Sequence, residues 1–145
     1  MPQDMRDAAV VAKQLLDVLA ETNRLFRDHV VRLGRSSVAT KAQACLEVAS
    51  YRNGSVIEGY VEAELANGGS VCWLLDVGWD ADCWTIEARL AKQSGDRQET
   101  LRELPTHTVK DFDSFLRTLK QVATELLALR IPEATTGGSR EARKD

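Results

Sequence analysis

Three turn signals at similar spacing are the feature of this sequence that most restricts its fold. They are the dipeptide Asn53-Gly54, the tripeptide Asn67-Gly68-Gly69 and the segment Asp80–Cys83. Asn-Gly is the strongest short signal for a hairpin, because a type I′ turn needs positive φ at both central residues. Between the turns apolar and polar residues alternate, as they do in strands with one buried face. The middle of the chain therefore predicts an antiparallel meander of four strands.

The turns also predict a register for each of the three hairpins. The predicted pairs are Val48 with Gly59, Val61 with Leu75, and Trp79 with Trp84. A shift of one residue would move every side chain of a strand to the opposite face. All three turns place the apolar residues on the same face, so the three registers support one another.

A long amphipathic helix is predicted before the strands, over residues 4–33. Apolar residues recur there at steps of three and four, and Gly34 is a suitable C-terminal cap. Such a helix would be about 45 Å long, against about 30 Å for a nine-residue strand, so it should overhang the sheet or cross it diagonally. Its broad apolar surface has two explanations: burial by its own domain, or contact of one part with a second copy or a partner.

A fifth strand and a second helix are predicted near the end of the chain. The strand, at residues 98–104, should stop at Pro105, because proline lacks the backbone donor that a strand interior uses. The helix runs over residues 110–130, with Thr108 as its N-cap and a stripe of apolar residues along one side.

Together these elements predict a two-layer α+β sandwich. The sheet is a four- to five-stranded antiparallel meander, and both helices should cover its apolar face. The domain would span residues 1–131, with residues 35–42 as a connector between the first helix and the sheet. Residues 132–145 carry few apolar side chains and predict a disordered tail.

Composition and charge narrow the classes of function. The chain has 145 residues and a net charge of −3, which argues against nonspecific binding to nucleic acid. Charged residues interrupt the N-terminal segment throughout, so neither a signal peptide nor a membrane span is expected, and the default location is cytoplasmic. Cys45, Cys72 and Cys83 are an odd number without CxxC spacing, which predicts reduced thiols.

The outer face of the predicted sheet holds the candidate site. With the predicted registers, one row across the strands reads Glu47, Tyr60, Asp76 and Glu87. The candidate partner-binding residues on this face are Glu47, Glu58, Tyr60, Glu62, Leu74, Asp76 and Glu87. An acidic rim around a few apolar groups is typical of a protein-binding surface.

Two observations complicate this interpretation of the outer face. Val56 and Cys72 are also expected there, beside Tyr60, as apolar surface. Arg89 lies on the diagonal from Asp76 and could neutralise the row internally. In that case the face would simply be solvated.

Signals for catalysis or a cofactor are weak. Asp80, Asp82 and Cys83 fall in a predicted hairpin tip, and His29 is expected on the surface of the first helix and His107 in a loop. No serine lies in a G-x-S-x-G elbow and no glycine-rich loop precedes a helix. No cofactor and no metal is expected, because side chains on a flat sheet diverge whereas a divalent cation needs converging oxygens.

The hypothesis that fits best is a non-enzymatic module that binds a protein partner, without nucleic acid or membrane. In size, charge and layout the chain is similar to small bacterial immunity proteins and secretion chaperones, which implies one partner, expected here to be basic. The alternative is a small-molecule- or metal-binding protein or hydrolase that uses Asp76 and Glu87, with Asp80 or Asp82. A homodimer through the first helix is a third hypothesis.

Overall fold

A computed structural model of the chain describes residues 3–48, 55–80 and 82–136. The elements in chain order are α1 (Gln3–Gly34), β1 (Ala39–Val48), β2 (Ser55–Leu65), β3 (Ser70–Asp80), β4 (Cys83–Ser94), β5 (Arg97–Glu103), β6 (His107–Val109), α2 (Phe112–Ala128) and α3 (Glu133–Thr136). The predicted α+β fold is confirmed: an antiparallel sheet packs against an N-terminal and a C-terminal helix.

The sheet is the predicted meander with one added edge segment. Its strands lie in the order β1-β2-β3-β4-β5, and all neighbours are antiparallel. Strand β5 pairs with the second half of β4, and β6 pairs with the first half of the same edge. Pro105 lies between β5 and β6, where it interrupts the edge. The sequence does not predict β6, because three residues are too few for an alternating pattern.

The core lies between the inner face of the sheet and the helices. α1 packs on β1 and β2, α2 packs on β3, β4 and β6, and the two helices touch each other. The largest fully buried side chains are Trp73, Phe26, Phe115, Leu75, Ile86, Leu90, Leu119 and Leu126. Apolar residues therefore occupy the face that the alternation in the sequence assigns to them.

α1 extends past the sheet, as its length predicts. Its buried positions are Leu19, Thr22, Phe26, His29 and Leu33. The described side chains of residues 3–14 are exposed. The helix ends at Gly34 as expected, but Gly34 is not a left-handed cap: the amides of Arg35 and Ser36 donate to the carbonyls of Arg32 and Leu33 and tighten the last turn.

α2 is shorter than predicted and uses a different N-cap. It spans Phe112–Ala128, and Asp111 caps it by accepting a hydrogen bond of 2.8 Å from the Ser114 amide. Hydrogen bonds from Ser114 also lower the pKa of the Asp111 carboxyl. Thr108, the predicted cap, lies instead in β6 opposite Thr85. The observed N-cap differs from the predicted one because Thr108 belongs to β6, a strand that the sequence did not predict.

The connector and the C-terminal segment also differ from expectation. β1 already begins at Ala39, so the connector after α1 is residues 35–38 rather than 35–42. Residues from 132 onward were expected to be a disordered tail, but Glu133–Thr136 forms the short helix α3. Asn67 Nδ2 donates to the Thr135 carbonyl over 2.9 Å and ties α3 to the turn after β2. The remainder of the predicted tail, 137–145, lies outside the described residues.

The third predicted register is confirmed. Trp79 pairs with Trp84, and the ladder continues to a pair between Asp80 and Cys83. Only residues 81 and 82 therefore separate the two strands, so the loop is two residues long rather than the predicted four.

The first two predicted registers are wrong by two residues. Val48 pairs with Ile57 instead of Gly59, and Val61 pairs with Trp73 instead of Leu75. A shift of two keeps every side chain on its predicted face but gives it new direct neighbours. The Asn53-Gly54 turn of the first hairpin lies outside the described residues.

The turn between β2 and β3 explains the second shift. The left-handed residue is Gly68, with φ of +97°, and not Gly69. The Leu65 amide donates to the Gly69 carbonyl over 2.7 Å, which closes a three-residue loop at residues 66–68, one residue earlier than predicted. Asn67 Oδ1 accepts from the Gly69 amide over 3.0 Å and stabilises this turn.

Candidate protein-binding face

The observed registers assemble a row of four carboxylates across the outer sheet face. Glu47 lies opposite Glu58, Glu58 opposite Asp76, and Asp76 opposite Glu87. All four side chains are exposed. Neighbouring strands are about 4.8 Å apart, so the row spans about 14 Å. The predicted row had Tyr60 in place of Glu58, and the register shift makes it entirely acidic. We call these four residues the acidic row.

The next row along the strands is mostly apolar. Tyr60 lies opposite Cys45 on one side and Leu74 on the other, and Leu74 lies opposite Arg89. Tyr60 and Leu74 are half-buried. Burial, reinforced by the neighbouring Cys45 and Glu62, raises the pKa of the Tyr60 hydroxyl. The phenol therefore stays protonated and able to donate a hydrogen bond.

Arg89 does not form the expected ion pair with Asp76. Its guanidinium donates to Thr100 Oγ1 over 2.8 Å and to Gln98 Oε1, both on β5. Within the described part of the chain, the ion pairs involve helix residues and none involves the acidic row. Arg89 therefore does not neutralise the row through a direct ion pair.

The outer face is concave where the acidic row crosses it. A groove of about 420 Å³ lies over β2, β3 and β4, bounded by the β5 edge. We call it the acidic groove; its polar and aromatic lining includes Glu58, Tyr60, Asp76, Glu87, Arg89 and Glu103. Leu74 contributes apolar surface to it. Three of the four row carboxylates thus share one depression, whereas the sequence predicted a flat face.

Two predicted site residues lie apart from the acidic groove. Glu47 belongs to the acidic row but does not line the groove. Glu62 lies two rows away, opposite Gln43, whose Nε2 donates to it over 2.8 Å. The structure therefore gathers Glu58, Tyr60 and Asp76, together with Leu74 and Glu87, and leaves these two at the margin.

Two residues expected as exposed apolar surface on the outer face are not exposed there. Val56 falls at the irregularity between Ser55 and Ile57 and packs against the core. Cys72 lies on the outer face opposite Glu62, as expected, but it is buried, with 8% of its surface exposed. Burial, together with the nearby Glu62 carboxylate, raises the pKa of the Cys72 thiol to about 11.

Cys45 and Cys72 lack the lowered pKa of an activated nucleophile. Cys45, Cys72 and Cys83 are free thiols. Burial and a hydrogen bond to Glu47, over 3.4 Å, raise the pKa of Cys45. A raised pKa keeps a thiol protonated, and the nucleophilic form is the thiolate.

The hairpin tip that carries Asp80 and Asp82 is anchored by aromatic residues. The rings of Trp79 and Trp84 meet edge to face, 4.7 Å between centroids, and Trp84 stacks on Phe115 at 4.3 Å. The two aspartates are exposed at the tip, away from the acidic groove. Among the described residues, no three His, Cys, Asp or Glu side chains are grouped as metal ligands.

His29 is buried, which the sequence interpretation missed. Only 7% of its surface is exposed, and its ring meets Trp73 edge to face at 4.6 Å. Its Nδ1 lies 3.0 Å from Arg32 Nη2. The spacing from Phe26 to His29 to Leu33, three and then four residues, places His29 on the buried stripe and was the available signal. His107, expected in a loop, lies in β6.

The comparisons with known proteins identify no relative. No protein-family model, curated protein or solved structure matches this chain. Within the described ranges, no helix is both long enough and apolar enough to cross a membrane.

Proposed function

We propose that this protein is a non-enzymatic interaction module that binds a basic protein partner through the acidic face of its sheet. The observation that carries the proposal is the acidic row, in which carboxylates lie directly opposite one another on four adjacent strands. Like charges in direct cross-strand pairs destabilise a sheet. A surface that receives cations from a partner benefits from such a row, because the partner relieves the repulsion on binding.

The acidic groove supports recognition of an arginine or lysine side chain. Glu58, Asp76 and Glu87 would accept hydrogen bonds from the cationic group, and charge-assisted bonds of this kind are the stronger ones in proteins. Tyr60 and Leu74 would contact the apolar stem of the same side chain. The groove thus offers hydrogen-bond acceptors for the cationic group of a long basic residue and apolar surface for its stem.

The proposal includes the role and location expected from the sequence. A module of the immunity-protein or secretion-chaperone type would neutralise or escort one partner, and a net charge of −3 favours encounter with a basic one. A cytoplasmic location fits the three free thiols, because reducing compartments keep cysteines unpaired.

Affinity capture with matched charge variants tests the proposal. The protein and its Asp76→Lys/Glu87→Lys variant would be used to capture proteins from the cells that encode it, with folding checked by circular dichroism. We expect the variant to capture at least about tenfold less of each basic partner than the wild-type protein, because removing one side of a charge pair weakens binding.

Asp28→Lys/Glu125→Lys is the control variant. It changes the net charge by the same amount at exposed helix positions outside the acidic groove. Capture should persist with this control. Equal capture by the groove variant and the control would contradict the assignment of the face.

The acidic groove also supports the alternative hypothesis, a small-molecule- or metal-binding protein or hydrolase. The supporting observation is that Glu58, Asp76 and Glu87 line one depression. Calorimetric titration with Mg²⁺, Mn²⁺ and Ca²⁺ separates the two hypotheses. Binding heat that disappears in Asp76→Asn would favour the metal site over the protein-binding face.

A further inference from the structure

The two edges of the sheet differ in how they are protected from pairing with another chain. Natural edges are protected by short strands, by charged side chains and by proline. On one side of the sheet, β5 is seven residues long, four of them charged, and Pro105 separates it from β6. On the other side, β1 is a ten-residue strand without proline, and its two charged residues are Lys41 and Glu47. The β1 edge therefore lacks most of this protection.

The outward side of β1 has no partner strand among the described residues. β1 is bonded to β2 on its inward side, and it ends the strand order of the sheet. In an antiparallel ladder, alternate residues direct their amide and carbonyl groups away from the partner strand. No backbone hydrogen bond between described residues joins these outward groups to a loop or a helix. Such a row of free donors and acceptors is a template for a further strand.

The charges of β1 are complementary to those of an antiparallel copy of β1. Lys41 and Glu47 each lie three residues from Ala44, on opposite sides of it. Both side chains are exposed on the outer face, since they lie opposite Glu64 and Glu58 of β2. If a second β1 ran antiparallel with the two Ala44 residues opposite each other, each Lys41 would lie opposite the partner's Glu47. A parallel copy, or an antiparallel copy shifted by two residues, would not form these pairs.

The other pairs in this register are also compatible. On the core side, Ala42 would lie opposite the partner's Leu46, and Ala44 would lie opposite its equivalent. Small residues at the axis, and a small residue facing a larger one, let the side chains pack without collision. On the outer side, Gln43 would lie opposite the partner's Cys45, so no like charges meet there.

We infer that two copies of this chain join through β1, antiparallel about a two-fold axis at Ala44, so that their sheets form one continuous sheet. The contact consists of backbone hydrogen bonds along residues 41–47 and of two charge pairs between Lys41 and the partner's Glu47. Within one copy, Glu47 lies opposite Glu58, and no ion pair among the described residues offsets this repulsion. The partner's Lys41 supplies a cation at this position. An unrelated strand would satisfy the backbone groups, but only a second copy matches both charges by symmetry.

The dimer would present both acidic faces on the same side. The two-fold axis is perpendicular to the joined sheet, so the two outer faces point in one direction. α1 packs on β1, so the two α1 helices would be neighbours on the core side and would extend the interface beyond the strands. The inference goes beyond the proposed function and does not depend on it.

Exchange of the charges at positions 41 and 47 tests this arrangement. In sedimentation equilibrium between about 1 and about 100 µM, we expect the protein to approach twice its mass of 16.1 kDa. Lys41→Glu and Glu47→Lys should each weaken dimerisation at least about tenfold, because each replaces two attractions with two repulsions. The double variant Lys41→Glu/Glu47→Lys restores both charge pairs and should dimerise as the wild-type protein does. An equimolar mixture of the two single variants should form a heterodimer for the same reason.

Lys110→Glu is the control for net charge. Lys110 is exposed and lies between β6 and α2, beside the opposite edge of the sheet, so this variant should remain a dimer. Circular dichroism would verify that each variant folds. A wild-type protein that is monomeric at about 100 µM, or a double variant that associates as weakly as the single variants, would overturn the inference. None of these variants alters Glu58, Asp76 or Glu87, so the dimer can fail while the proposed function stands.

Discussion

Asp76 is the residue on which the acidic face depends most directly. It lies opposite Glu58 on β2 and opposite Glu87 on β4, and it forms no ion pair with any described residue. Arg89 lies on the diagonal from Asp76 and could offset its charge, but the Arg89 guanidinium donates to Thr100 and Gln98 on β5. Asp76 therefore faces two like charges, and no ion pair among the described residues offsets them.

Replacing Asp76 with asparagine should raise stability while it weakens partner binding. Asp76→Asn keeps the shape of the side chain and removes two like-charge pairs, so we expect the free energy of unfolding to rise by about 0.5–1 kcal/mol. Urea denaturation at low and high salt would measure it, and the gain should shrink as salt screens the charges. Asp28→Asn, on an exposed helix position, is the control. A loss of stability in Asp76→Asn would contradict the repulsion.

At the scale of elements, the packing of α1 on β2 depends on a glycine. Gly59 lies on the core face of β2, opposite Leu46 and Leu75. A Cβ atom at this position would lie 2.7 Å from both Phe26 Cε2 and Leu46 Cδ1. Phe26 is fully buried, so its ring has little room to move away.

Substituting this glycine should loosen the contact between helix and sheet. We expect Gly59→Ala to lower the free energy of unfolding by about 1–3 kcal/mol, because the added methyl group overpacks the core. Gly34→Ala is the comparison: apart from its chain neighbours and the helix backbone, no atom of the described residues lies within 4 Å of its added Cβ, and alanine favours the helix by up to about 1 kcal/mol. Thermal unfolding should therefore shift in opposite directions, and equal shifts would contradict the packing argument.

At the scale of the whole molecule, His29 and Trp73 join α1, β3 and the end of α2. The His29 ring packs on Trp73, whose Nε1 donates to the Leu129 carbonyl over 3.0 Å. Arginine can only donate, so Nδ1 of His29 must accept from Arg32 and the proton of the neutral ring lies on Nε2. Burial, with a smaller contribution from the Arg32 cation, lowers the pKa of His29 to about 4.

The stability of the protein should therefore fall as the solution is acidified. The unfolded chain binds a proton at His29 near pH 6.5, whereas the folded protein does so only near pH 4, so acid favours the unfolded state in this interval. The stabilisation is complete above pH 6.5 and is lost between pH 6.5 and 4, about 3 kcal/mol in all. Chemical denaturation across this range would measure it. His29→Phe keeps a ring against Trp73 and should show a shallower pH dependence; identical slopes would contradict the assignment.

The sequence by itself determined the faces and the order of the elements. Alternation with a period of two and steps of three and four are local properties of the chain, so they identify α1, α2 and the inner face of the sheet without any tertiary information. The sequence also predicted the pair between Trp79 and Trp84, because the short turn between them leaves little freedom in the register. The acidic character of the outer face was evident at this level too.

The tertiary structure decided which residues on each face are neighbours. A shift of two residues preserves every face, so the pattern in the sequence contains no information to choose between Glu58 and Tyr60 in the row. In the second hairpin, the left-handed conformation of Gly68 sets the register of the two strands. Arg89 binding to β5, and the burial of His29 against Trp73, likewise depend on contacts between residues far apart in the chain. Local periodicity assigns faces, but only packing selects the partners on them.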